Sequence, residues 1–207
     1  MSGNKKVLIL SGPTHEYFDP VRFIGNASSG KMGKALAEEA LKRGMDVEFI
    51  SGPVSPENLP GNAHITRVTS TEEMLAATKE KFAAADLIIF AAAVADFQPL
   101  EKSAEKFPKV GNNITIELKP TPDIAATLCT NKRKDQIAIG FALQTHDGEA
   151  KAREKLVSKN LDGIVLNTPA TLGAESGLFT WIDQKGLENW GSLSKADCAK
   201  RIFSQIN

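Results

Sequence analysis

The strongest constraint on the fold is the alternation of short apolar runs with segments of helical periodicity. The run 6–10, Lys-Val-Leu-Ile-Leu, is typical of a buried strand, and in 30–43 apolar residues recur at spacings of three and four. Parallel strands joined by crossover helices produce this alternation. The sequence therefore predicts an α/β fold: a Rossmann-like, mostly parallel sheet with helices on both faces and a long flap loop.

Further elements follow from the same patterns. Strands are predicted at 47–50, 64–68, 86–95, 113–118, 137–142, 163–166 and 179–182. The most apolar run, 86–95, is expected near the centre of the sheet, whereas 113–118 alternates and is expected to be half exposed. Helix starts are predicted from cap residues or periodicity at Ser70 with Glu73, at Thr121 for a helix through Cys129, at 148 for a helix to 159, and at Ser194 with Asp197.

Composition narrows the class of protein. The 207 residues suit one α/β domain covering 1–207. The formal net charge is +0, whereas nucleic-acid binders usually carry a basic excess, so nucleic acid is not an expected partner. No apolar run is long enough for a signal peptide or a membrane span, so a cytoplasmic protein is expected. The two cysteines, Cys129 and Cys198, form no Cys-x-x-Cys pattern and are expected to be buried thiols.

Two connections are longer than a minimal fold of this class needs. Residues 11–29 follow the first strand, where a strand-to-helix loop ordinarily takes about 2–6 residues. Residues 98–112 form a charged loop that carries Lys102, Lys106 and Lys109. Long loops in compact domains often bind ligands, although a tolerated surface insertion has the same pattern.

The segment Gly25–Met32 nearly matches a phosphate-binding loop. It has the form G-x-x-x-x-G-K, but Met32 stands where a Ser or Thr would hold Mg²⁺, so a P-loop NTPase is not predicted. Ser28, Ser29 and Gly30 still lead into a helix whose free N–H groups suit a phosphate or carboxylate of a substrate. An ordinary helix cap by Ser28 or Ser29 is the alternative.

The sheet pattern alone also permits an NAD(P)-binding reductase. The first strand is followed by 11–16, Ser-Gly-Pro-Thr-His-Glu, which lacks G-x-G-x-x-G, and Pro13 removes an N–H donor from the turn. The only tyrosine, Tyr17, is followed four residues later by Val21, so a Tyr-x-x-x-Lys mechanism is excluded. A Rossmann-type reductase remains an alternative that only the sheet pattern favours.

An ordered set of short motifs covers about residues 7–167 and is more specific than any of its members. The motifs are Ser11-Gly12-Pro13-Thr14, Asp19-Pro20-Val21-Arg22, Asn26-x-Ser28-Ser29-Gly30-Lys31-Met32-Gly33, Ser51-Gly52-Pro53-Val54, Ala92-Ala93-Val94-Ala95-Asp96, Glu105-Lys106, Pro122-Asp123-Ile124, Gly140-Phe141-Ala142 and Lys159-Asn160-Leu161-Asp162. In this order they resemble the phosphopantothenoylcysteine synthetases.

The resemblance implies a ligase of coenzyme A biosynthesis. The carboxylate of 4'-phosphopantothenate attacks the α-phosphorus of CTP, pyrophosphate leaves, and the amine of L-cysteine then displaces CMP from the acyl-nucleotidylate. Phosphoryl chemistry of this kind depends on positioning and charge neutralisation. The resemblance therefore implies cationic side chains, helix N-termini and Mg²⁺ around the phosphates, with no flavin and no protein nucleophile. The sequence does not identify the ligands of the metal, and it leaves ATP open as the nucleotide.

Three residues match catalytic positions of the family. The amide of Asn26 offers donors and an acceptor to an activated acid, and the guanidinium fork of Arg22 suits the carboxylate or phosphate of the substrate. Lys106 matches the lysine of a mobile flap that closes over the triphosphate. The alternatives are a left-handed turn for Asn26, a surface ion pair for Arg22 and a solvated side chain for Lys106.

A larger group matches the nucleotide-binding positions of the family. These residues follow predicted strands or lie on predicted helices, and Lys155 and Lys159 share one helix face. The predicted nucleotide contacts are Ala92, Asp96, Lys106, Pro122, Asp123, Ile124, Ala125, Phe141, Lys155 and Lys159. A turn residue at Asp96, a core side chain at Phe141 and a solvated face for the two helix lysines are the alternatives.

One departure from the family pattern keeps a further alternative open. Gln144 stands where an acidic residue is common, which favours a non-catalytic homologue. The resemblance also implies partners: a homodimer, with 113–118 as an available strand beside the flap, and fusion to or association with a flavin-dependent decarboxylase.

Overall fold

The computed structural model describes residues 4–109, 111, 113–143 and 147–206. The strands are β1 Lys6–Ser11, β2 His15–Tyr17, β3 Phe23–Gly25, β4 Asp46–Ser51, β5 His64–Arg67, β6 Leu87–Phe90, β7 Phe97–Pro99, β8 Leu118–Pro120, β9 Ile137–Leu143, β10 Gly163–Asn167, β11 Ser176–Asp183 and β12 Leu187–Ser194. The α-helices are α1 Lys31–Lys42, α2 Thr71–Phe82, α3 Ile124–Cys129, α4 Gly148–Ser158 and α5 Lys195–Gln205.

The central sheet confirms the predicted Rossmann-like architecture. Its 8 strands lie in the order β12-β11-β10-β9-β6-β1-β4-β5. Within this sheet, neighbouring strands are parallel among β5, β4, β1, β6, β9 and β10. The last two strands, β11 and β12, add an antiparallel edge. The chain leaves β1 for β4 and β5 on one side and returns to β6 on the other. The strand order therefore reverses between β1 and β6, which is where open α/β sheets bind ligands.

Side chains alternate along the strands and divide the core into two layers. On one face, Val7 and Ile9 of β1 pack with α1 and α5. On the other face, Leu8 and Leu10 pack with α2, α3 and α4. Burial on both faces is the reason that the parallel strands read as unbroken apolar runs.

Two predicted strands are wrong in extent. Only Leu87–Phe90 of the predicted strand 86–95 joins the sheet, because the backbone beyond it bonds to loops: Ala93 N–H donates to the Gly12 carbonyl at 2.8 Å and Ala95 N–H to Thr14 Oγ1 at 2.9 Å. Only Leu118 of the predicted strand 113–118 lies in a strand, β8, which pairs with β7. In both segments apolar residues predicted strand pairing, although they show only that a side chain is buried or that an exposed surface is apolar.

The helix caps confirm some predictions and correct others. Ser70 and Glu73 form the predicted capping box of α2. The N-cap of α3 is Asp123, and the hydroxyl of Thr121, the predicted cap, donates instead to the Ala95 carbonyl at 2.5 Å. Ser194 caps α5 by accepting the Asp197 N–H at 3.0 Å, as predicted, but the Asp197 side chain accepts the Ser194 hydroxyl at 2.7 Å instead of completing a capping box.

The long connection 11–29 contains elements that its sequence did not predict. β2 and β3 form an antiparallel hairpin between the first strand and α1. The strand β12 was also missed. Both cysteines are buried free thiols, as expected. No helix in the described part of the chain is long and apolar enough to cross a membrane.

The packing of α1 on β1 depends on a glycine. A Cβ built on Gly33 would lie 2.0 Å from Ser11 Oγ and 2.3 Å from Ser11 Cβ. Glycine therefore lets the first turn of α1 approach the carboxyl end of β1 closely.

Replacing Gly33 by Ala is expected to destabilise the fold. Alanine in a helix interior is favoured over glycine by about 0.5–1 kcal/mol, but overpacking a tight contact costs about 1–3 kcal/mol. We therefore expect the free energy of unfolding in urea to fall by about 1–2 kcal/mol. Gly61→Ala is the control, since no atom lies within 4 Å of its added Cβ. Equal stability of Gly33→Ala and the wild type would contradict the contact.

Candidate active site

A cleft of about 590 Å³ opens at the carboxyl ends of β1, β6, β9 and β10. It lies at the point where the strand order reverses. The predicted site residues that line it are Asn26, Ser28, Ser29, Gly30, Ala92, Asp96, Pro122, Asp123, Ile124, Ala125, Phe141, Lys155 and Lys159. The fold thus brings together segments that are far apart in the chain.

The amino end of α1 forms one wall of the cleft. Gly30 is the N-cap, with a left-handed backbone at φ +76° that favours glycine. No side chain of the described residues caps this helix, so the alternative of a plain serine cap is not observed. The first turn, 31–33, lines the cleft. Its free N–H groups and the helix dipole are therefore available to an anion.

Asn26 joins the segment before α1 to the loop after β6. Its side-chain Nδ2 donates to the carbonyl of Val94 at 2.8 Å and lies 3.4 Å from that of Ala93. Asn26 is not among the residues with positive φ, so it is not the left-handed turn residue of the alternative reading. Because the two carbonyls engage Nδ2, the side-chain oxygen remains to accept a hydrogen bond from a ligand.

The opposite wall combines the N-terminus of α3 with the C-terminal part of α4. Asp123 caps α3 through the N–H of Ala126 at 3.0 Å and pairs with Lys159 Nζ at 2.8 Å. Burial alone would raise the pKa of Asp123, but the Ala126 N–H and the ammonium groups of Lys159 and Lys155 outweigh it and hold this pKa below its usual value. Lys155, one turn before Lys159, also lines the cleft. This wall carries the positive charge that a polyphosphate needs.

Asp96 and Phe141 complete the middle of the cleft. Asp96 lies in the loop after β6, where its carbonyl accepts the Thr121 N–H at 3.0 Å, and not at the strand's end as predicted. Phe141 of β9 is half-buried, and it both packs against the core and lines the cleft. A position in the core and a contact with a nucleotide in the cleft, the two roles predicted for Phe141, are therefore compatible.

Two predicted catalytic residues lie outside the cleft lining. The Arg22 guanidinium contacts Asp19 Oδ2 at 3.2 Å and the Phe107 carbonyl at 3.3 Å. Lys106 is exposed in the flap, which is the connection between β7 and β8. Their roles remain predictions that require a movement toward the cleft. Gln144 lies outside the described residues.

Sequence reasoning missed two lysines of the cleft. Lys31 pairs with Glu175 and lies 3.3 Å from the Gly173 carbonyl. Lys195 is 7% exposed and donates to the Thr171 carbonyl at 3.2 Å. Burial lowers the pKa of Lys195, with Lys31 adding to this and Glu175 opposing it. Lys195 is the first residue of α5, where a positive charge interacts unfavourably with the helix dipole. This unfavourable placement was the sequence signal that could have marked Lys195 as a site residue.

Comparison with known proteins assigns the chain to a family. The family model for the DNA/pantothenate metabolism flavoprotein C-terminal domain matches residues 2–207. The chain belongs to this family. The resemblance drawn from the ordered motifs is thereby confirmed.

Individual members show how much of each relative the chain covers. The Bacillus subtilis (strain 168) protein named coenzyme A biosynthesis bifunctional protein CoaBC is 42% identical over 98% of this chain and 51% of its own length. A protein of an unknown prokaryotic organism, named cysteine/cysteine sulfinic acid decarboxylase, is 42% identical over 98% of this chain and 58% of its own length. The chain thus spans about half the length of such curated relatives.

A solved family member has the same fold over nearly the whole chain. The crystal structure of the C-terminal domain of a CoaBC protein is 37% identical and superposes with a TM-score of 0.83. The match covers 98% of this chain and 93% of that chain. The part of the bifunctional proteins that this chain resembles is therefore their C-terminal domain.

Proposed function

We propose that the chain is a phosphopantothenate–cysteine ligase of coenzyme A biosynthesis. It would couple 4'-phosphopantothenate to L-cysteine through an acyl-nucleotidylate made from CTP. The observation that carries the proposal is the single cleft in which the uncapped α1 terminus and Asn26 face the wall of Lys155 and Lys159. Similarity to the bifunctional CoaBC proteins supports it, and such a role would place the protein in the cytoplasm.

The proposed reaction has two displacement steps. The pantothenate carboxylate attacks the α-phosphorus and pyrophosphate leaves; the cysteine amine then attacks the acyl carbon and CMP leaves. In both steps negative charge must be held in place, which suits the N–H groups at 31–33 and the Lys155 ammonium. Asn26, with its amide fixed by two carbonyls, would orient the activated acid.

No side-chain nucleophile is needed, and the thiols of this chain are not suited to that role. Burial raises the pKa of Cys129 to about 11 and that of Cys198 to about 12. A thiol is nucleophilic as the thiolate, so both are inert at neutral pH. The sulfur chemistry of the proposed product belongs to the cysteine substrate.

Mg²⁺ would enter with the triphosphate. Among the residues that the structure describes, no group of three or more His, Cys, Asp or Glu side chains is placed to hold a metal ion. Mg²⁺ is commonly bound by one or two carboxylates together with substrate phosphates. Asp96 in the cleft suits that role, whereas Asp123 is engaged by Lys159. A bound Mg²⁺ would neutralise phosphate charge.

An NAD(P)-binding reductase is not favoured. The connection from β1 to α1 holds a hairpin, not the tight glycine-rich turn of a dinucleotide site. We further propose that the chain works beside, or fused to, a flavin-dependent decarboxylase. The flavoprotein description of the family, the relative named cysteine/cysteine sulfinic acid decarboxylase and the greater length of the bifunctional relatives support this. The flavin would belong to that partner.

Pyrophosphate release tests the proposed function. CTP and ATP are supplied in parallel with phosphopantothenate, with and without cysteine, and we expect release with CTP and amide formation once cysteine is added. Asn26→Asp turns an oxygen toward the Ala93 and Val94 carbonyls, so we expect synthesis to fall about 100-fold or more. Asn131→Asp, at an exposed position, is the control. Absence of release with both nucleotides would identify a non-catalytic homologue.

We also propose that the chain forms a homodimer. Exposed apolar side chains concentrate on the β2–β3 hairpin, the β7–β8 ribbon and the adjoining flap: Val21, Phe23, Phe97, Leu100, Ile114 and Leu118. β2 packs against β7, so these side chains belong to one region. An apolar surface of this kind suits a second copy of the chain.

Sedimentation at micromolar concentration tests the dimer. We expect a particle of twice the 22.3 kDa chain mass. Phe97→Lys should shift the protein toward monomer, because a charge would be buried in the interface. Val157→Lys, on the exposed face of α4, should leave the dimer intact. A monomeric wild type would contradict the proposal.

A further inference from the structure

Asp19 is a buried carboxylate in the connection between β2 and β3, and the reaction steps above give it no role. It is 2% exposed. Its Oδ1 accepts the backbone N–H groups of Val21 and Arg22, both at 2.8 Å. A turn of this kind needs one side-chain oxygen, and Asn forms it as readily as Asp. The turn therefore explains Oδ1 of this carboxylate but not Oδ2.

The second oxygen makes contacts of a different kind. Asp19 Oδ2 accepts from the Arg22 guanidinium at 3.2 Å and from the Phe107 N–H at 3.3 Å. Arg22 in turn donates to the Phe107 carbonyl at 3.3 Å. The three residues form a closed ring of hydrogen bonds in which both backbone groups of Phe107 are engaged. This oxygen thus joins residues that are 88 positions apart in the chain.

The base of the flap is fixed to the same connection at a second point. Ser103 N–H donates to the Phe18 carbonyl at 2.9 Å, and the rings of Phe18 and Phe107 lie 6.2 Å apart. Lys106 immediately precedes Phe107. The contacts of Phe107 therefore also fix the backbone of Lys106, the predicted catalytic lysine.

The negative charge of Asp19 matters for this arrangement. Burial alone would raise the pKa of Asp19, but the N–H groups of Val21, Arg22 and Phe107, together with the Arg22 guanidinium, outweigh it and hold this pKa below its usual value. The carboxylate is therefore ionised at neutral pH. An amide would keep one acceptor oxygen and turn an NH₂ group toward these donors.

We infer that Asp19 is a positioning residue that holds Arg22 and the base of the flap together as one unit. Through this unit, Arg22 and Lys106 are presented to the activated acid together. Since neither side chain lines the cleft here, the unit has to move as one body when substrate binds. The inference rests on the proposed function for the roles of the two cations, whereas the link itself is a property of the fold.

The chain offers a closely matched control for Asp19→Asn. Asp183, the last residue of β11, accepts the N–H groups of Lys185 at 2.8 Å and Gly186 at 3.0 Å in the following turn through Oδ1. Its Oδ2 accepts from Trp181 Nε1 at 3.1 Å. Asp183→Asn therefore alters the same kind of turn at a position that does not line the cleft.

Amide hydrogen exchange measures the link without any substrate. We expect Asp19→Asn to speed exchange at Ser103 and Phe107 by about ten-fold or more, because the charge-assisted contacts of Oδ2 are lost. Asp183→Asn should leave exchange at both amides unchanged. If Asp19→Asn does not fold, Phe107→Pro removes the flap N–H donor and leaves Asp19 intact, with exchange then followed at Ser103.

Kinetics of pyrophosphate release measure the positioning role. We expect Asp19→Asn to lower kcat about ten-fold while the KM for CTP changes much less, because the cleft walls that carry Lys155 and Lys159 are untouched and only the flap is affected. Combined with Arg22→Gln, Asp19→Asn should cause less than the product of the two separate losses, since both changes weaken one unit.

The possible outcomes are distinct. Unchanged exchange at Ser103 and Phe107 in Asp19→Asn overturns the link. Faster exchange with an unchanged kcat, or fully additive losses in the double variant, overturns the positioning role. If the wild type releases no pyrophosphate, the proposed function fails and the positioning role with it, while the exchange comparison still decides whether the link exists.

Discussion

The close approach of α1 to β1 sets the geometry on which the rest of the cleft depends. Gly33 leaves room for Ser11 against the helix, and the Ser11 hydroxyl donates to the Gly30 carbonyl at 3.2 Å. The first turn of α1 is therefore fixed at the carboxyl end of a central strand, beside the point where the strand order reverses. An anion site at this place requires backbone N–H groups and small residues rather than a metal-binding loop. A sequence that fails as a P-loop can in this way still present free N–H groups to a phosphate, which is the role proposed for this segment.

The cations around the cleft differ in how available they are. Lys159 is paired with Asp123, and Lys31 with Glu175. Partly exposed pairs of this kind contribute only about 0–1 kcal/mol, so a polyphosphate can displace them. Lys155 has no acidic partner within ion-pair distance among the described residues. It is therefore the lysine of this wall that an incoming anion meets without breaking an ion pair.

The sequence predicted the layered fold and most of the cleft because both depend on local patterns. Apolar runs located the parallel strands, whereas the ordered motifs assigned Asn26 and Asp96 to the site, and both line the one cleft. Patterns cannot show which backbone groups meet across the fold, so the loop at 91–95 was predicted as a strand. The ring that joins Asp19 to Phe107 was missed for the same reason, since it links two loops of irregular structure.

Titration calorimetry with Mg²⁺ and CTP on two variants of α4 tests the central claim most directly. Lys155 lines the cleft, whereas Arg153, on the same helix, is exposed and pairs with Glu149. We predict that Lys155→Gln weakens CTP binding about ten- to a hundred-fold, as expected for the loss of a hydrogen bond between charged groups. Arg153→Gln should bind CTP like the wild type. Equal affinities of the two variants would contradict a nucleotide site between α1 and α4.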